Sequence, residues 1–334
     1  MSNELVVVAG AGGFIGGHLI ADLRRDGYTN LRAVDIKPLD EWYQRFDDVE
    51  NLQLDLSLLE NAQRASEGAA EVYQLAADMG GMGFIETNRA LCMLSVLTST
   101  HMLVAARDQG VRRFFYSSSA CVYNEEKQRD EEVVPLREED AYPAMPEDGY
   151  GWEKLFTERM ARHFREDFGL TTRVARYHNV YGPHGTWEGG REKAPAAICR
   201  KVIEAKLTGK HEIEIWGDGK QTRSFMYIDD CLHGTREILA SDHILEPVNL
   251  GSNELVTINQ LVDIVEDIAG IKLERHYKLD APKGVNGRNS DNTKILEYLG
   301  WEPSIRLRDG MERTYRWIEQ EYVAKYGMPA TVSS

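Results

Sequence analysis

Leu5-Val6-Val7-Val8-Ala9-Gly10-Ala11-Gly12-Gly13-Phe14-Ile15-Gly16 is the stretch that decides the fold of this chain. An unbroken apolar run predicts a strand buried on both faces, and the segment from Phe14 to Arg25 after the glycines has helical periodicity. Between them Gly10, Gly13 and Gly16 allow a tight turn and a close approach of backbone to a ligand. A pyrophosphate laid there would rest on the positive end of the helix dipole. Alone, such a turn more often only links strand to helix. Asp35 shifts the balance, because it ends a second predicted strand, Leu31 to Asp35, about twenty residues beyond the glycines. A carboxylate at that point accepts hydrogen bonds from adenosine ribose hydroxyls and repels a 2′-phosphate, so NAD is expected over NADP. The expected cofactor-binding set is Gly10, Gly13, Phe14, Ile15, Gly16 and Asp35, together with Tyr150 and Lys154 farther along the chain. Asp55, at the end of a third strand read as Leu52 to Asp55, either faces the adenine or caps the helix before Leu58.

Outward from this point, short apolar runs and helical patterns alternate. Glu71 to Leu75, Arg113 to Ser117 and Thr172 to Tyr177 read as further strands, with helices over Asn88 to Gln109 and Tyr150 to Glu166. That alternation predicts an α/β chain: a Rossmann-type doubly wound parallel sheet with a smaller C-terminal substrate-binding lobe. After His178 the rhythm breaks at a Gly/Pro-rich stretch, Tyr181 to Gly190. The second lobe is expected to hold a helix over Pro195 to Lys206, a turn at Trp216 to Gly219, the segment Gly284 to Asn292 and a closing helix within Leu307 to Tyr326. The expected division is residues 1–178 with about 229–250 in the nucleotide domain, and 179–228 with 251–334 in the lobe. An acidic stretch, Glu125 to Asp140, and the tail after Met328 read as solvated surface.

With 334 residues and 42% hydrophobic content the chain can bury a substantial core. Its formal charge of −15 argues against a nucleic-acid surface and leaves room for a local basic pocket that takes a small anionic ligand. Cys92, Cys121, Cys199 and Cys231 form no C-x-x-C pair and no zinc spacing, so no metal is expected. The start at Met1-Ser2-Asn3-Glu4 lacks a signal pattern, and no segment reads as the roughly 18 apolar residues of a membrane helix. The expected compartment is the cytoplasm, where thiols stay reduced.

Tyr150-Gly151-Trp152-Glu153-Lys154 sets a phenol and an ammonium at i and i+4, on one helix face. A tyrosinate can take the proton of a sugar hydroxyl during its oxidation, and a lysine cation beside it is expected to lower the phenol pKa. Ser117-Ser118-Ser119 precedes it at a strand end, with Ser119 able to orient the same hydroxyl. The order of glycine loop, serine strand and Tyr/Lys helix is that of short-chain dehydrogenases.

Several segments make a more specific resemblance. They are Ala76-Ala77-Asp78-Met79-Gly80-Gly81-Met82-Gly83-Phe84-Ile85, Ser118-Ser119-Ala120-Cys121-Val122-Tyr123, His178-Asn179-Val180-Tyr181-Gly182-Pro183 and Gly189-Gly190-Arg191-Glu192-Lys193-Ala194-Pro195. Trp216-Gly217-Asp218-Gly219-Lys220-Gln221-Thr222-Arg223-Ser224-Phe225 and Gly287-Arg288-Asn289-Ser290-Asp291-Asn292 extend it across nearly the whole chain. The chain resembles the GDP-mannose 3,5-epimerases of the extended short-chain dehydrogenase/reductase family. That resemblance implies a catalytic set of Tyr150, Lys154, Cys121, Lys193 and Ser119, with Cys121 and Lys193 as base and acid for inversion next to a transient C4 ketone. It also implies substrate contacts from Gly81, Met82, Asn179, Lys193, Lys201, Arg223 and Arg288, the two arginines on the diphosphate, and a homodimer formed through two helices per subunit. For Lys201, a solvated ion pair is an equal alternative. Asn124 stands where the plant members carry proline, so the sugar and the centre inverted can differ. Another NAD-dependent nucleotide-sugar epimerase, acting at C4 or at a single C3 or C5 centre, is the alternative; a 4-epimerase would leave Cys121 and Lys193 unexplained. A dehydratase would be expected to carry an Asp-Glu pair where this chain has Ala120-Cys121. A dinucleotide-binding sensor or scaffold without turnover would be expected to lose Tyr150 or Lys154.

Overall fold

The computed structural model describes residues 4–282 and 284–327; Met1-Ser2-Asn3 and the tail after Met328 lie outside the described residues. The first half runs β1 (Leu5–Ala9), α1 (Phe14–Arg25), β2 (Leu31–Asp35), β3 (Glu50–Gln53), α2 (Leu59–Ser66), β4 (Ala69–Gln74), α3 (Met82–Thr87), α4 (Arg89–Asp108), β5 (Arg113–Ser119), α5 (Tyr150–Phe168) and β6 (Thr171–Tyr177). The second continues with β7 (Val180–Tyr181), α6 (Ala194–Thr208), β8 (Glu212–Trp216), β9 (Thr222–Ser224), β10 (Met226–Tyr227), α7 (Ile228–Ala240) and β11 (Val248–Leu250). It ends with β12 (Leu255–Thr257), α8 (Ile258–Ala269), β13 (Glu274–Lys278), β14 (Gly287–Arg288), α9 (Thr293–Leu299) and α10 (Leu307–Tyr326).

Seven strands form one parallel sheet in the order β11-β6-β5-β4-β1-β2-β3. β1 explains why its run is apolar throughout. Val6 and Val8 enter the core on one face, with Leu19, Ile20 and Leu23 of α1, whereas Leu5, Val7 and Ala9 enter the core on the other, with Met102, Leu103 and Ala106 of α4. A strand covered by helices on both faces has no solvent side to make polar. Strand order reverses between β1 and β4, which opens a crevice beyond the carboxyl ends of the strands. The outer strand β11 is laid against β6 only after the chain has passed through the second lobe, Val248 pairing with Ala175 and Leu250 with Tyr177. That lobe is built on β9, flanked by β12 and β14, and on the parallel pair β8 and β13.

Three expectations need correction. β3 is Glu50–Gln53, so Asp55 falls past the strand and its Oδ1 accepts the Ser57 N–H at 2.9 Å. An edge strand with one neighbour takes its ends from pairing with β2, not from its own apolar run. The helix Arg89–Asp108 is long and apolar enough to cross a membrane by length and composition, contrary to the sequence reading. Here one side of it, including Cys92, Ser99, Met102 and Leu103, is packed inside the protein. The acidic stretch is not all surface either. Glu125, Glu126, Glu131 and Glu132 are exposed, but Gln128, Val133, Leu136 and Glu138 of the same stretch are buried, and Leu136 bridges to Ser290.

Candidate active site

The glycine turn is built so that nothing larger fits. Gly10 has φ +86°, and a Cβ there would stand 2.8 Å from the Ala76 nitrogen; one on Gly16 would stand 2.2 Å from the Gly10 oxygen. α1 starts at Gly13 without a side-chain cap and without an acidic residue in its first turn, which leaves its first N–H groups to a ligand. Asp35 is buried at the end of β2, one oxygen accepting the Gly12 N–H and the other the Lys37 N–H, both at 3.0 Å. The side chains of Phe14 and Ile15 turn into the core, and Gly182 and Gly185 of the second lobe close over the Phe14 ring.

Tyr150 begins α5, and Lys154 follows one turn later on the same face. Both are buried, with Lys154 Nζ 5.5 Å from the centre of the Tyr150 ring and 4.8 Å from that of Tyr116. The ammonium donates to the Ser117 carbonyl at 3.0 Å. The expected lowering of the phenol pKa is absent in this state. Burial holds Tyr150 well above the ordinary tyrosine value, Cys121 and Glu153 add to that, and the Ser119 hydroxyl opposes it. Burial also pushes Lys154 down, against Glu153 and Cys121.

Cys121 lies in the short helical turn after β5, its N–H bonded to the Ser119 hydroxyl at 3.2 Å. It shares a buried cluster with Tyr150, Ile85 and Cys92. Gly151 makes this packing feasible, since a Cβ there would lie 2.3 Å from the Cys121 carbonyl oxygen. Cations converge on the thiol. Arg288 Nη1 is 3.6 Å from Sγ, and Lys154, Lys193 and Arg223 all lie within its electrostatic reach. Lys193, half-buried at the start of α6, is pushed down by burial, with Cys121 opposing. The segment that carries it is locked to the loop before α3: Gly81 donates to the Arg191 carbonyl at 3.0 Å, and a Cβ on Gly81 would stand 2.5 Å from the Glu192 oxygen. Met82 packs against Gly284 across the same gap.

Arg223 and Arg288 sit abreast on β9 and β14. Like charges placed so are unfavourable unless something anionic lies between or beside them. Arg288 is buried and engaged by Glu147, by Gln128 Oε1 at 2.7 Å and by Cys121. Arg223 donates to the carbonyls of Thr222 and Val285, and burial brings it down to about 10. Asn179 adopts the left-handed region at φ 31° and donates to the Ser224 carbonyl at 3.0 Å, tying β7 to β9. Lys201 donates to the Glu214 carbonyl at 2.8 Å. Among the described residues no group of three His, Cys, Asp or Glu is placed to hold a metal.

Glu147, Gln128, Gly151 and Glu153 are part of this site although sequence reasoning did not single them out. The glycine alone carried a signal: within a helix it costs about 1 kcal/mol relative to alanine, which suggests a close approach.

The sheet, crevice and Tyr/Lys helix define a nucleotide-dependent short-chain enzyme. A model of the NAD dependent epimerase/dehydratase family matches residues 6–251, and the chain belongs to that family. It is 46% identical to GDP-mannose 3,5-epimerase of Arabidopsis thaliana, over 96% of this chain and 83% of that one, and 45% identical to GDP-mannose 3,5-epimerase 1 of Oryza sativa subsp. japonica, over 98% and 88%. In structure it is similar to UDP-glucose 4-epimerase of Thermotoga maritima, with TM-score 0.84, 26% identity, and coverage of 95% of this chain and 99% of that one. NAD is the cofactor, and the glycine cradle that any Cβ would fill, the uncapped start of α1 and the buried Asp35 fit it.

Proposed function

We propose that the protein catalyses the 3,5-epimerisation of GDP-mannose, converting GDP-D-mannose to GDP-L-galactose, GDP-L-gulose or both. The observation that carries this reading is Cys121: a buried thiol beside Tyr150 with Lys154, Lys193, Arg223 and Arg288 gathered around it. Oxidation at C4 alone gives such a thiol nothing to do. Inversion at C3 or C5 needs a base on one face of the ring and an acid on the other, and Cys121 and Lys193 are groups of those two kinds.

Bound NAD supplies the reversible oxidation and reduction at C4. Tyr150 accepts the proton of the 4-hydroxyl, Ser119 orients it, and Lys154 stabilises the tyrosinate. The ketone acidifies the C–H bonds at C3 and C5, because the electron pair left behind spreads onto the carbonyl oxygen. The Cys121 thiolate removes one such proton. Lys193, whose ammonium is already weakened by burial, delivers a proton to the opposite face. Each transfer by a positioned group is worth on the order of 10²–10⁴-fold. Arg223 and Arg288 hold the diphosphate, which would draw the Arg288 guanidinium away from Glu147. Gly81 and Met82 line the sugar, Asn179 bonds a sugar or phosphate oxygen, and Lys201 takes an outer position.

A homodimer is part of the proposal. α4 exposes Leu91, Met93, Leu94 and Leu97, and α5 exposes Trp152 and Phe156, an apolar surface that a second copy would cover. All four cysteines are buried thiols, which supports a reducing compartment, the cytoplasm.

Incubation with GDP-mannose in heavy water tests the reading. Deuterium at C3 or C5, with L-galactose or L-gulose products, is expected. Epimerisation confined to C4, without exchange at C3 or C5, would overturn it.

A further inference from the structure

Glu153 stands beside the Tyr/Lys pair with no part in the chemistry derived above. Its side chain is fully enclosed. Oε1 accepts from Tyr116 at 3.2 Å, from Thr157 at 3.2 Å and from Ser99 at 3.4 Å. These three hydroxyls come from β5, α5 and α4, so three separate elements fix one oxygen. The other oxygen, Oε2, makes no hydrogen bond and lies 3.8 Å from Lys154 Nζ. Side chains at i and i+1 of a helix normally diverge. Here Lys154 runs across the Tyr116 ring, and the hydroxyl network turns Glu153 back to meet it. The network continues beneath the glycine turn, where Gln74 Nε2 donates to Ser99 at 3.5 Å and to the Ala76 carbonyl at 3.1 Å.

We propose that Glu153 is a positioning residue, a fixed counter-ion that keeps Lys154 charged and in place behind Tyr150. An enclosed ammonium with one carbonyl acceptor is otherwise poorly solvated, and buried charges persist when paired and hydrogen-bonded. The other groups that act on Lys154 do not supply this. Glu158 is bound by Arg176 at 2.8 Å, Cys121 faces Arg288, and Tyr116 and Tyr150 are neutral phenols held up by burial. α4 faces the network with Ser95, Ser99 and Cys92, whose thiol is pushed up by burial. The cost of the arrangement falls on Tyr150, whose phenol Glu153 also raises. Neutralising Glu153 would therefore make the phenol easier to ionise and the ammonium harder to keep.

The inference rests on the hydride-transfer role of Tyr150 and Lys154, and its deciding readout, the titration of Lys154, is independent of the sugar. The protein is labelled with [6-¹³C]lysine, the Lys154 resonance is identified by its loss in Lys154→Arg, and its titration is followed with NAD bound. In Glu153→Gln the midpoint is expected to fall by more than one pH unit, and the alkaline limb of kcat to move with it. An unchanged midpoint in folded Glu153→Gln overturns the proposal. Thr157→Val removes one hydroxyl and no charge; it is expected to lower Tm and leave the midpoint where it was. An equal fall in Thr157→Val would assign the effect to packing and overturn the proposal too. Should Glu153→Gln not fold, Glu153→Asp withdraws the carboxylate by one methylene, and a smaller fall in the same direction is required. Loss of C3/C5 exchange in wild-type protein would sink the epimerase reading and leave this titration intact.

Discussion

Cys121 and His178 show what single side chains do here. Cys121→Ala removes the proposed base and leaves the Tyr150 and Lys154 pair standing. Deuterium incorporation at C3 and C5 is expected to fall by roughly 10²–10⁴-fold, while reduced cofactor still forms transiently on mixing with GDP-mannose and is seen by its near-ultraviolet absorbance. Exchange at the wild-type rate would remove Cys121 from its role. His178 is fully buried between the Tyr123 ring and Asn249, its Nε2 2.9 Å from Asn249 Oδ1, and burial brings it down to about 4. Between that value and the ordinary 6.5 the unfolded chain binds a proton that the folded protein refuses, so stability falls as pH falls through this window. The loss from pH 7 to pH 5 is about 2 kcal/mol. His178→Gln is expected to flatten that slope in urea unfolding, with little effect at pH 7. At this scale the motif order pointed to Tyr150, Lys154 and Ser119 and the family resemblance to Cys121, Lys193, Arg223 and Arg288, and the fold sets the others around Cys121. The sequence did not name Glu147 or Glu153, because an acidic residue in a chain of charge −15 looks like surface until its neighbours are known.

Elements matter here mainly where they come too close for side chains. α5 passes over the turn that holds Cys121, and Gly151 marks the crossing. Gly151→Ala should gain up to about 1 kcal/mol in helix propensity. A Cβ at 2.3 Å from a backbone oxygen forces a displacement whose typical cost is about 1–3 kcal/mol, so the clash wins. A lower Tm and a reduced kcat with modest change in KM are expected; a more stable, fully active variant would show that the crossing has slack. Long, strongly patterned elements were legible. α1 and α10 fall where the apolar spacing put them, and β1 and β2 likewise. β9, β10 and β14, two or three residues each, were not, because a strand so short has no period to read and exists only through its partners. β3 slipped for the related reason that its register belongs to β2.

At the scale of the whole molecule, α4 and α5 together present an apolar face outside the core. Leu94 is 56% exposed and Phe156 53%, on neighbouring helices, and that surface accounts for α4 reading as membrane-like in composition. Leu94→Glu sets a charge in the proposed subunit contact without touching the site. Sedimentation at micromolar concentration is expected to give a monomer where the unaltered protein gives a dimer; equal masses for the two would place the contact elsewhere. The chain also does not finish one lobe before beginning the other, since β11 completes the sheet beside β6 only after β7 to β10 have been made. On a ribosome adding roughly 5–20 residues per second, β6 waits several seconds for its outer neighbour. During that interval a strand carrying Val174, Ala175 and Tyr177 has a bare edge, a template for any passing chain. Birth, more than maturity, is when this protein is most exposed to aggregation, and a nascent-chain chaperone would have its work between the emergence of Tyr177 and that of Leu250.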